Sequence, residues 1–434
     1  MTKRLLLPRS QAVGLDGRPL AGAKLYTYTT GTSTPKPVFT DAALTIPHAN
    51  PVIADAAGRF PAMFLGSGDY RTILTDAADV VIATDDPVEG DDASTAPPAD
   101  QASALLAARR NRLVNPAMQI SQQFGTANTD ITTGSVYALD QWGGTLSTTP
   151  GGTLRLAQVA STTPAGSPFR LRATVQATDV SIAAGDLYVI EQPLEGQAMA
   201  DARFGTATAR QLLLRLGVRS SVAGTFGVSI SNAAGNRSWV GLLTIAAGET
   251  NTDVVRTFTI PGDVSGTWPT TTALGMVLRV ALAAGVSSQG ATGWQTGSIL
   301  TTAAQTNLMA TGSATFDLFD AGLYVDTAGL GLFPPFEVPD PADELRRCQR
   351  YYETGRANFI GSGHTANAYV GQQITFTVQK RAVPIIVMGT ATENTNLANT
   401  TVDQITVDGF RHYGQVTAAG NAFITRPYVA GARM

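Results

Sequence analysis

The chain has 434 residues, only 15% of them charged, and a formal net charge of −3 at pH 7. This length predicts two or three domains, and the near-neutral charge excludes the basic field of a nucleic-acid-binding protein. The single cysteine, Cys348, excludes an intramolecular disulfide framework. The 44 glycines, among many Thr and Ser residues, favour short strands joined by tight turns over long helices.

The first residues, MTKRLLLPRSQ, do not form a signal peptide, because only three apolar residues precede Pro8. No apolar run approaches the length of a membrane span. We therefore expect a protein that is made in the cytoplasm, stays soluble, and leaves the cell by a route other than signal-peptide secretion.

Residues 1–90 predict a small β domain. Strands are expected at residues 23–28, 69–74 and 80–82, and the first of them places Tyr26 and Tyr28 on one face. The stretch NPVIADAAGRF, residues 50–60, predicts a very short strand at Val52 and Ile53 and a turn that ends at Gly58.

Residues 85–100, DDPVEGDDASTAPPAD, have the acidic, Pro-rich composition of a linker. Their carboxylates could bind Ca²⁺, but the spacing and glycine of a calcium loop are missing, so a solvated linker is favoured. The acidic residues are Asp85, Asp86, Glu89, Asp91 and Asp92. A helix is expected over residues 100–112 and is too short to be stable alone, so it needs neighbouring copies or a domain to pack against. Residues 91–112 are therefore assigned to the linker and a helical neck.

From residue 113 to 340 the pattern is all β, with the size of one large β-sandwich. A helix is then expected over residues 341–353, PADELRRCQRYYE, with Leu345, Cys348, Tyr351 and Tyr352 on one apolar face. Further strands follow it, so residues 341–434 predict a helix and a small C-terminal β domain.

Three groups of motifs resemble proteins of tailed bacteriophages. The segments GRPLAGAKLYTY (17–28) and NPVIADAAGRF (50–60) resemble the N-terminal anchor of tail fibres and tailspikes. The segments NRLVNPAMQI (111–120) and YALDQW (137–142) resemble the opening of a jelly-roll domain in phage receptor-binding proteins. In similar proteins, a helix like ELRRCQRYY (344–352) follows that domain. This chain departs from the pattern at residues 323–329, where LYVDTAG replaces a Gln-Leu-Glu-x-Gly run.

The resemblance implies a virion component and a homotrimer. Residues 1–90 would attach it to other virion proteins, and the jelly-roll sandwich of residues 113–340 and the region after it would face the host. The expected fold class is all-β: an anchor domain, a short helical neck, a large jelly-roll β-sandwich, and a small C-terminal β domain preceded by one helix.

Signals for enzymatic chemistry are sparse. The three histidines, His48, His364 and His412, are far apart, and no zinc-protease, paired-cysteine, phosphate-loop or nucleophile-elbow motif occurs. We therefore assign no catalytic residue, no metal ligand and no cofactor. The carboxylate pairs Glu191/Glu195 and Asp317/Asp320 keep a glycan depolymerase open as an alternative.

Aromatic side chains are the expected platforms for sugars, which present apolar C–H faces. All four tryptophans lie between residues 142 and 294. Trp142 is expected in the core, whereas Trp239 and Trp268 have loop-like sequence contexts. We therefore name Trp239 and Trp268, with Asn236 and Arg237, as candidate glycan contacts.

The sequence thus predicts a non-enzymatic phage fibre or spike that adsorbs to bacterial surface polysaccharide. Two alternatives stay open: a depolymerase tailspike and a purely architectural virion protein. No nucleic acid, cofactor or membrane insertion is expected.

Overall fold

The computed structural model describes residues 10–14, 17–88, 110–147 and 151–434. The chain is all-β, as predicted, and forms two compact units, Met1–Ser103 and Ala104–Met434. Among the described residues, the α-helices are short: α1 (Gly196–Met199) and α2 (Pro341–Gln349). None of the described helices is long and apolar enough to span a bilayer.

The first unit contains two small antiparallel sheets. Its strands are β1 (Lys24–Thr29), β2 (Val38–Phe39), β3 (Val52–Ile53), β4 (Phe64–Leu65), β5 (Tyr70–Thr75) and β6 (Val81–Val88). The larger sheet has the order β3-β1-β5-β6, and β2 pairs with β4. The rings of Tyr26 and Tyr28 stack on one face of β1, with centroids 6.4 Å apart, as the alternation predicted.

The turn after β3 is built by a carboxylate and a glycine. Asp55 Oδ1 accepts hydrogen bonds from the backbone N–H groups of Ala57 and Arg59, both at 2.8 Å. Gly58 has φ +73°, and a Cβ there would lie 3.0 Å from the Ala12 carbonyl oxygen. The predicted turn is confirmed, and a residue with a side chain would be strained at position 58.

The predicted linker begins too early. Residues 85–88 belong to β6, where Asp86 accepts hydrogen bonds from the Thr30 hydroxyl at 2.5 Å and the Gly31 N–H at 3.0 Å. These donors, which lie more than 50 residues away in the same chain, stabilise an acidic strand whose composition alone is typical of a linker. Glu89, Asp91, Asp92 and most of the predicted neck helix lie outside the described residues, and residues 110–112 are not helical.

The second unit opens with a β-sandwich. Its strands are β7 (Thr129–Ile131), β8 (Gly134–Leu139), β9 (Trp142–Ser147), β10 (Thr153–Ala160), β11 (Phe169–Ala177), β12 (Leu187–Glu195), β13 (Leu212–Ser220), β14 (Gly224–Asn232), β15 (Arg237–Ile245), β16 (Val254–Ile260), β17 (Leu274–Ala284), β18 (Gly293–Thr296) and β19 (Thr315–Val325). Short 3-10 turns lie at Ala200–Ala202, Ala247–Glu249, Val286–Ser288 and Leu308–Ala310.

These strands form two antiparallel sheets, with the orders β16-β13-β19-β11-β10-β7 and β18-β15-β14-β17-β12-β9-β8. One core, with leucines from strands of both sheets, lies between them. A sandwich of this kind presents its loops at two ends, and these loops are free to carry function.

Helix α2 begins where the sequence indicates. Asp340 caps it by accepting hydrogen bonds from the N–H groups of Ala342 at 2.8 Å and Asp343 at 3.2 Å, and Pro341 occupies the first turn. The helix ends at Gln349, four residues before the predicted end, because Tyr352 already begins the next strand.

The phage-like motifs meet at Asn115. Its buried side chain forms two hydrogen bonds with the backbone of Ile120, and the Trp142 indole donates to its backbone carbonyl at 3.0 Å. Its backbone N–H donates to Glu344 of α2 at 2.6 Å. Hydrogen bonds at Asn115 therefore connect the three phage-like segments of this unit, residues 111–120, 137–142 and 344–352. Trp142 is buried, as expected.

After α2 the chain forms two small antiparallel sheets. Their strands are β20 (Tyr352–His364), β21 (Tyr369–Thr375), β22 (Ile385–Met388), β23 (Glu393–Thr395), β24 (Leu397–Asp403), β25 (Gly409–Val416) and β26 (Gly420–Gly431). Sheet C1 has the order β20-β26-β22, with β23 also on β26, and sheet C2 has the order β21-β25-β24.

Sheets C1 and C2 pack face to face. Tyr428 and Ala430 of C1 share a buried cluster with Phe410 of C2, and Ile424 of C1 shares another with Val416 of C2. Each sheet therefore has one face in the core and one face directed away from it.

Candidate functional site

Three of the four sequence-predicted glycan contacts lie near one another at one end of the sandwich. The Arg237 guanidinium forms two hydrogen bonds with Asp263, at 2.6 and 2.9 Å, and lies 5.9 Å from the Trp294 ring. Trp268 packs edge-to-face on Trp294 at 5.7 Å. The exposed Asn236 precedes Arg237 in the turn after β14 and accepts a hydrogen bond from Asn232.

Trp239 does not join this group, and its expected loop context is wrong. It lies inside β15, is 7% exposed, and packs edge-to-face on Phe258 with centroids 5.9 Å apart. The alternation of β15 turns this side chain into the core, which its polar neighbours at Asn236 and Ser238 concealed in the sequence.

The indole N–H groups and rings of Trp268 and Trp294 are mostly engaged in contacts within the protein. Trp268 donates its indole N–H to Ser265 at 3.0 Å, and Trp294 donates to Pro261 at 2.7 Å. Both rings pack on Phe204. The cavity beside Trp268 has a volume of about 20 Å³, which leaves room for about one water molecule. We interpret the group mainly as packing at the sandwich end.

The carboxylates considered for glycan cleavage all have partners in the protein. Glu191 accepts from Arg279 at 2.8 Å, and Asp317 accepts from Arg172 at 2.7 and 2.8 Å. Glu195 pairs with Arg350 at 2.7 and 2.9 Å. Asp320 is completely buried, where two hydroxyls and the Ala165 N–H donate to it.

An arginine-lined cleft of about 340 Å³ lies beside α2. Arg350 in its wall is bound to Glu195, and Arg347 donates to Glu344 and to the Leu113 carbonyl. Arg112 is bound to Asp201. These guanidiniums already connect α2 and residues 112–113 to the sandwich. We therefore interpret the cleft as part of this packing and not as a binding site.

The outward face of sheet C2 carries an exposed aromatic pair. Tyr369 is 66% exposed, and its ring centroid lies 6.2 Å from that of Tyr413 on the neighbouring strand β25. Gly371 is the cross-strand partner of Tyr413, and a Cβ there would lie 2.4 Å from the Tyr413 Cβ. The glycine thus leaves the space in which the two rings meet.

Polar side chains surround this pair on the same face. The Arg411 guanidinium lies 4.8 Å from the Tyr413 ring and donates to Asp403 at 2.8 Å. These hydrogen bonds lower the pKa of the Asp403 carboxyl and raise that of Arg411, so both are charged at neutral pH. Gln373 and Gln415 flank the rings. We call this set the tyrosine platform: Tyr369, Tyr413, Arg411, Gln373 and Gln415.

The tyrosine platform combines the two contacts that a sugar ring needs. Its aromatic faces can stack on apolar C–H groups, and its amide and guanidinium groups can donate or accept hydrogen bonds with hydroxyls. Tyr369 is exposed on this sheet face, and an open surface suits a stretch of polymer better than a small molecule that must be enclosed.

The tyrosine platform was not predicted from the sequence, because only the tryptophans of residues 142–294 were considered as sugar contacts. A signal was present: Tyr369, Gln373 and Thr375 are aromatic or polar, and they alternate with the apolar Val370 and Ile374. The register that brings Tyr413 beside Tyr369 is a cross-strand property, which a single strand's pattern does not contain.

The histidines do not form a site. His412 is buried in sheet C2, where burial and then Arg426 lower its pKa. His364 lies at a bulge of β20, with its ring 5.9 Å from Phe359. Over residues 10–14, 17–88, 110–147 and 151–434, no group of three His, Cys, Asp or Glu side chains is arranged to hold a metal ion.

No family model and no curated relative matches the sequence. Among solved structures, the chain is similar to the enzymatically active domain of bacteriophage CBA120 tailspike protein 4, with 9% identity, coverage of 50% of this chain and 21% of that chain, and a TM-score of 0.26. It is also similar to a family 11 carbohydrate-binding module from Clostridium thermocellum, with 12% identity, coverage of 44% and 94%, and a TM-score of 0.23.

A third similar structure is discoidin II of Dictyostelium discoideum, with 10% identity, coverage of 60% of this chain and 82% of that chain, and a TM-score of 0.16. At identities and scores this low, the likenesses identify neither a family nor a function.

Proposed function

We propose that this chain is a non-enzymatic virion fibre or spike protein that adsorbs to bacterial surface polysaccharide. The tyrosine platform is the observation that carries the sugar-binding part. It offers an exposed aromatic pair beside a charged guanidinium and two amides on one open face. Such a surface provides stacking and directional hydrogen bonds together.

The virion assignment is supported by the phage-like motifs, which occur in the expected order along the chain. In this proposal, residues 1–90 attach to other virion proteins and the distal sheets face the host. The protein is a homotrimer on the particle, since linked copies of a weak sugar site raise avidity without any new contact.

The rival depolymerase is disfavoured by the binding partners of the four candidate carboxylates. Each is held by arginine or by hydroxyl and amide donors. A catalytic carboxyl must be within hydrogen-bond reach of the glycosidic oxygen or the attacking water, whereas these four carboxylates are engaged by donors of the protein itself.

Binding and cleavage can be tested in one experiment. The purified full-length chain is incubated with intact bacteria and with a panel of their extracted surface polysaccharides, and reducing ends are followed in the same tube. We expect saturable binding to at least one polysaccharide without new reducing ends. New reducing ends would establish the depolymerase instead. No binding to any bacterium that the parent particle infects would leave the architectural alternative.

A further inference from the structure

The outward face of sheet C1 carries exposed apolar side chains beside polar ones such as Asn358 and Thr395. Ile360, Ile385 and Val387 are 86%, 75% and 58% exposed. Val387 and Val429 are cross-strand partners, so they share this face. We call these four residues the apolar face: Ile360, Ile385, Val387 and Val429.

Strand alternation explains why these residues cannot turn inward. In β22, Ile386 and Met388 pack against the core between sheets C1 and C2, so Ile385 and Val387 must point the other way. A strand face that meets water normally carries polar residues, as the outward face of C2 does with Gln373, Arg411 and Gln415. The exposure of Ile360, Ile385 and Val387 on one sheet face indicates that something covers this face of C1.

The whole outward face of sheet C1 is large enough for a protein partner. Strand β26 has 12 residues. At roughly 3.4 Å a residue and about 4.8 Å between strands, three strands present on the order of 600 Å². Each partner in a standard protein interface buries roughly 800 Å². Loops beside the sheet can supply the remaining area.

Two charges on the same face point to a second copy of this chain as the partner. Arg356 is opposite Pro427, and Glu393 is opposite Thr425, on the two sides of β26. Within the described part of the chain, neither has an oppositely charged partner, and Glu393 only accepts a long 3.4 Å contact from Thr425. A face with one unpaired charge of each sign is complementary to itself, because Arg356 of one copy can meet Glu393 of the next.

We propose that copies of this chain associate through the apolar face of sheet C1, with Arg356 and Glu393 pairing between copies. This inference gives a location to the self-association proposed above and does not depend on sugar binding. Since C1 and C2 share a core, their outward faces point in opposite directions, and association through C1 directs each tyrosine platform away from the interface.

The test uses the full-length chain and light scattering after size-exclusion chromatography at micromolar concentration. The wild type is expected at a multiple of the monomer mass. The double variant Ile385→Asp/Val387→Asp is expected as a folded monomer, because buried carboxylates at the interface oppose association. Val180→Asp is the matched control, since Val180 is 71% exposed on a sandwich loop and should not affect the mass.

A charge exchange tests the pairing without adding a charge to the apolar residues. Arg356→Glu should weaken association at least tenfold, because it places like charges together, and Arg356→Glu/Glu393→Arg should restore it. A wild-type monomer, or an Ile385→Asp/Val387→Asp variant with the wild-type mass, would overturn the inference. Failure to bind sugar by a multimeric wild type would overturn only the proposed adsorption.

Discussion

Lys380 is completely buried, and its ammonium lies 2.5 Å from the Glu353 carboxylate. The Val378 carbonyl accepts a second hydrogen bond from it at 2.9 Å. Glu353 in turn accepts from Thr377 and Tyr428. Each charge of the pair is therefore compensated by the other, and removal of either partner would leave the remaining charge buried without compensation.

Glu353→Gln should lower the free energy of unfolding by about 3–5 kcal/mol, because Lys380 would remain buried without its counter-charge. Urea denaturation at neutral pH measures the change. Asp408→Asn is the control: Asp408 is an exposed carboxylate after β24, and its change should stay within about 0.5 kcal/mol. Equal stability of the two variants would contradict the buried ion pair.

His412 predicts a pH dependence of stability. Burial lowers its pKa in the folded chain, so the unfolded chain binds the proton first as the pH falls below about 6.5. This residue's contribution to stability is therefore present above that pH and is lost progressively below it. Unfolding free energies at pH 7.5, 6.5 and 5.5 should decline more steeply for the wild type than for His412→Gln. Parallel curves would contradict this, because they would show that folding does not change the pKa of His412.

At the scale of elements, α2 holds the start of the sandwich in place through hydrogen bonds to Asn115 and Leu113. Two adjacent carboxylates in its first turn have opposite environments: Asp343 is exposed, while Glu344 is buried and accepts from Asn115 and Arg347. Glu344→Gln should cost about 2–3 kcal/mol of unfolding free energy, since a charged hydrogen bond to a buried N–H is weakened. Asp343→Asn should cost less than about 0.5 kcal/mol. Thermal and urea unfolding measure both variants. A similar small cost for the two variants would show that Glu344 does not stabilise the contact between α2 and the sandwich.

Local signals predicted some elements well. Pro341 marked the start of α2, and turn residues marked β3 and Gly58, because these features depend only on neighbours in the sequence. Trp142 was correctly expected in the core. The burial of Trp239 and the strand at residues 85–88 depend on cross-strand partners, which the sequence does not display.

The candidate site was less predictable than the fold. Asn236, Arg237 and Trp268 are indeed close to one another, but their contacts are largely internal. The tyrosine platform needs the register of β21 and β25 before its aromatic pair exists. The alternation within one strand therefore does not predict which aromatic residues meet on a sheet face, even where that alternation is clear.

At the scale of the whole molecule, the two compact units predict separable folding. A chain of residues 104–434 should keep the melting transition that the full chain shows for this unit, because the sandwich core, α2 and sheets C1 and C2 all lie within it. Differential scanning calorimetry of both chains measures this. Aggregation or loss of that transition in the shorter chain would mean that the first unit is needed for the second to fold.

In the proposed fibre, removal of residues 1–90 should also abolish incorporation into particles.

The central claim is that the tyrosine platform binds polysaccharide. The most direct measurement is the affinity of the full-length chain for one purified surface polysaccharide that it binds, compared between Tyr369→Ala/Tyr413→Ala and Trp268→Ala. We predict at least about a tenfold loss for the tyrosine variant, since two stacking rings are removed, and little change for Trp268→Ala. Full binding by the tyrosine variant, with loss in Trp268→Ala, would contradict the account and assign the site to the sandwich end.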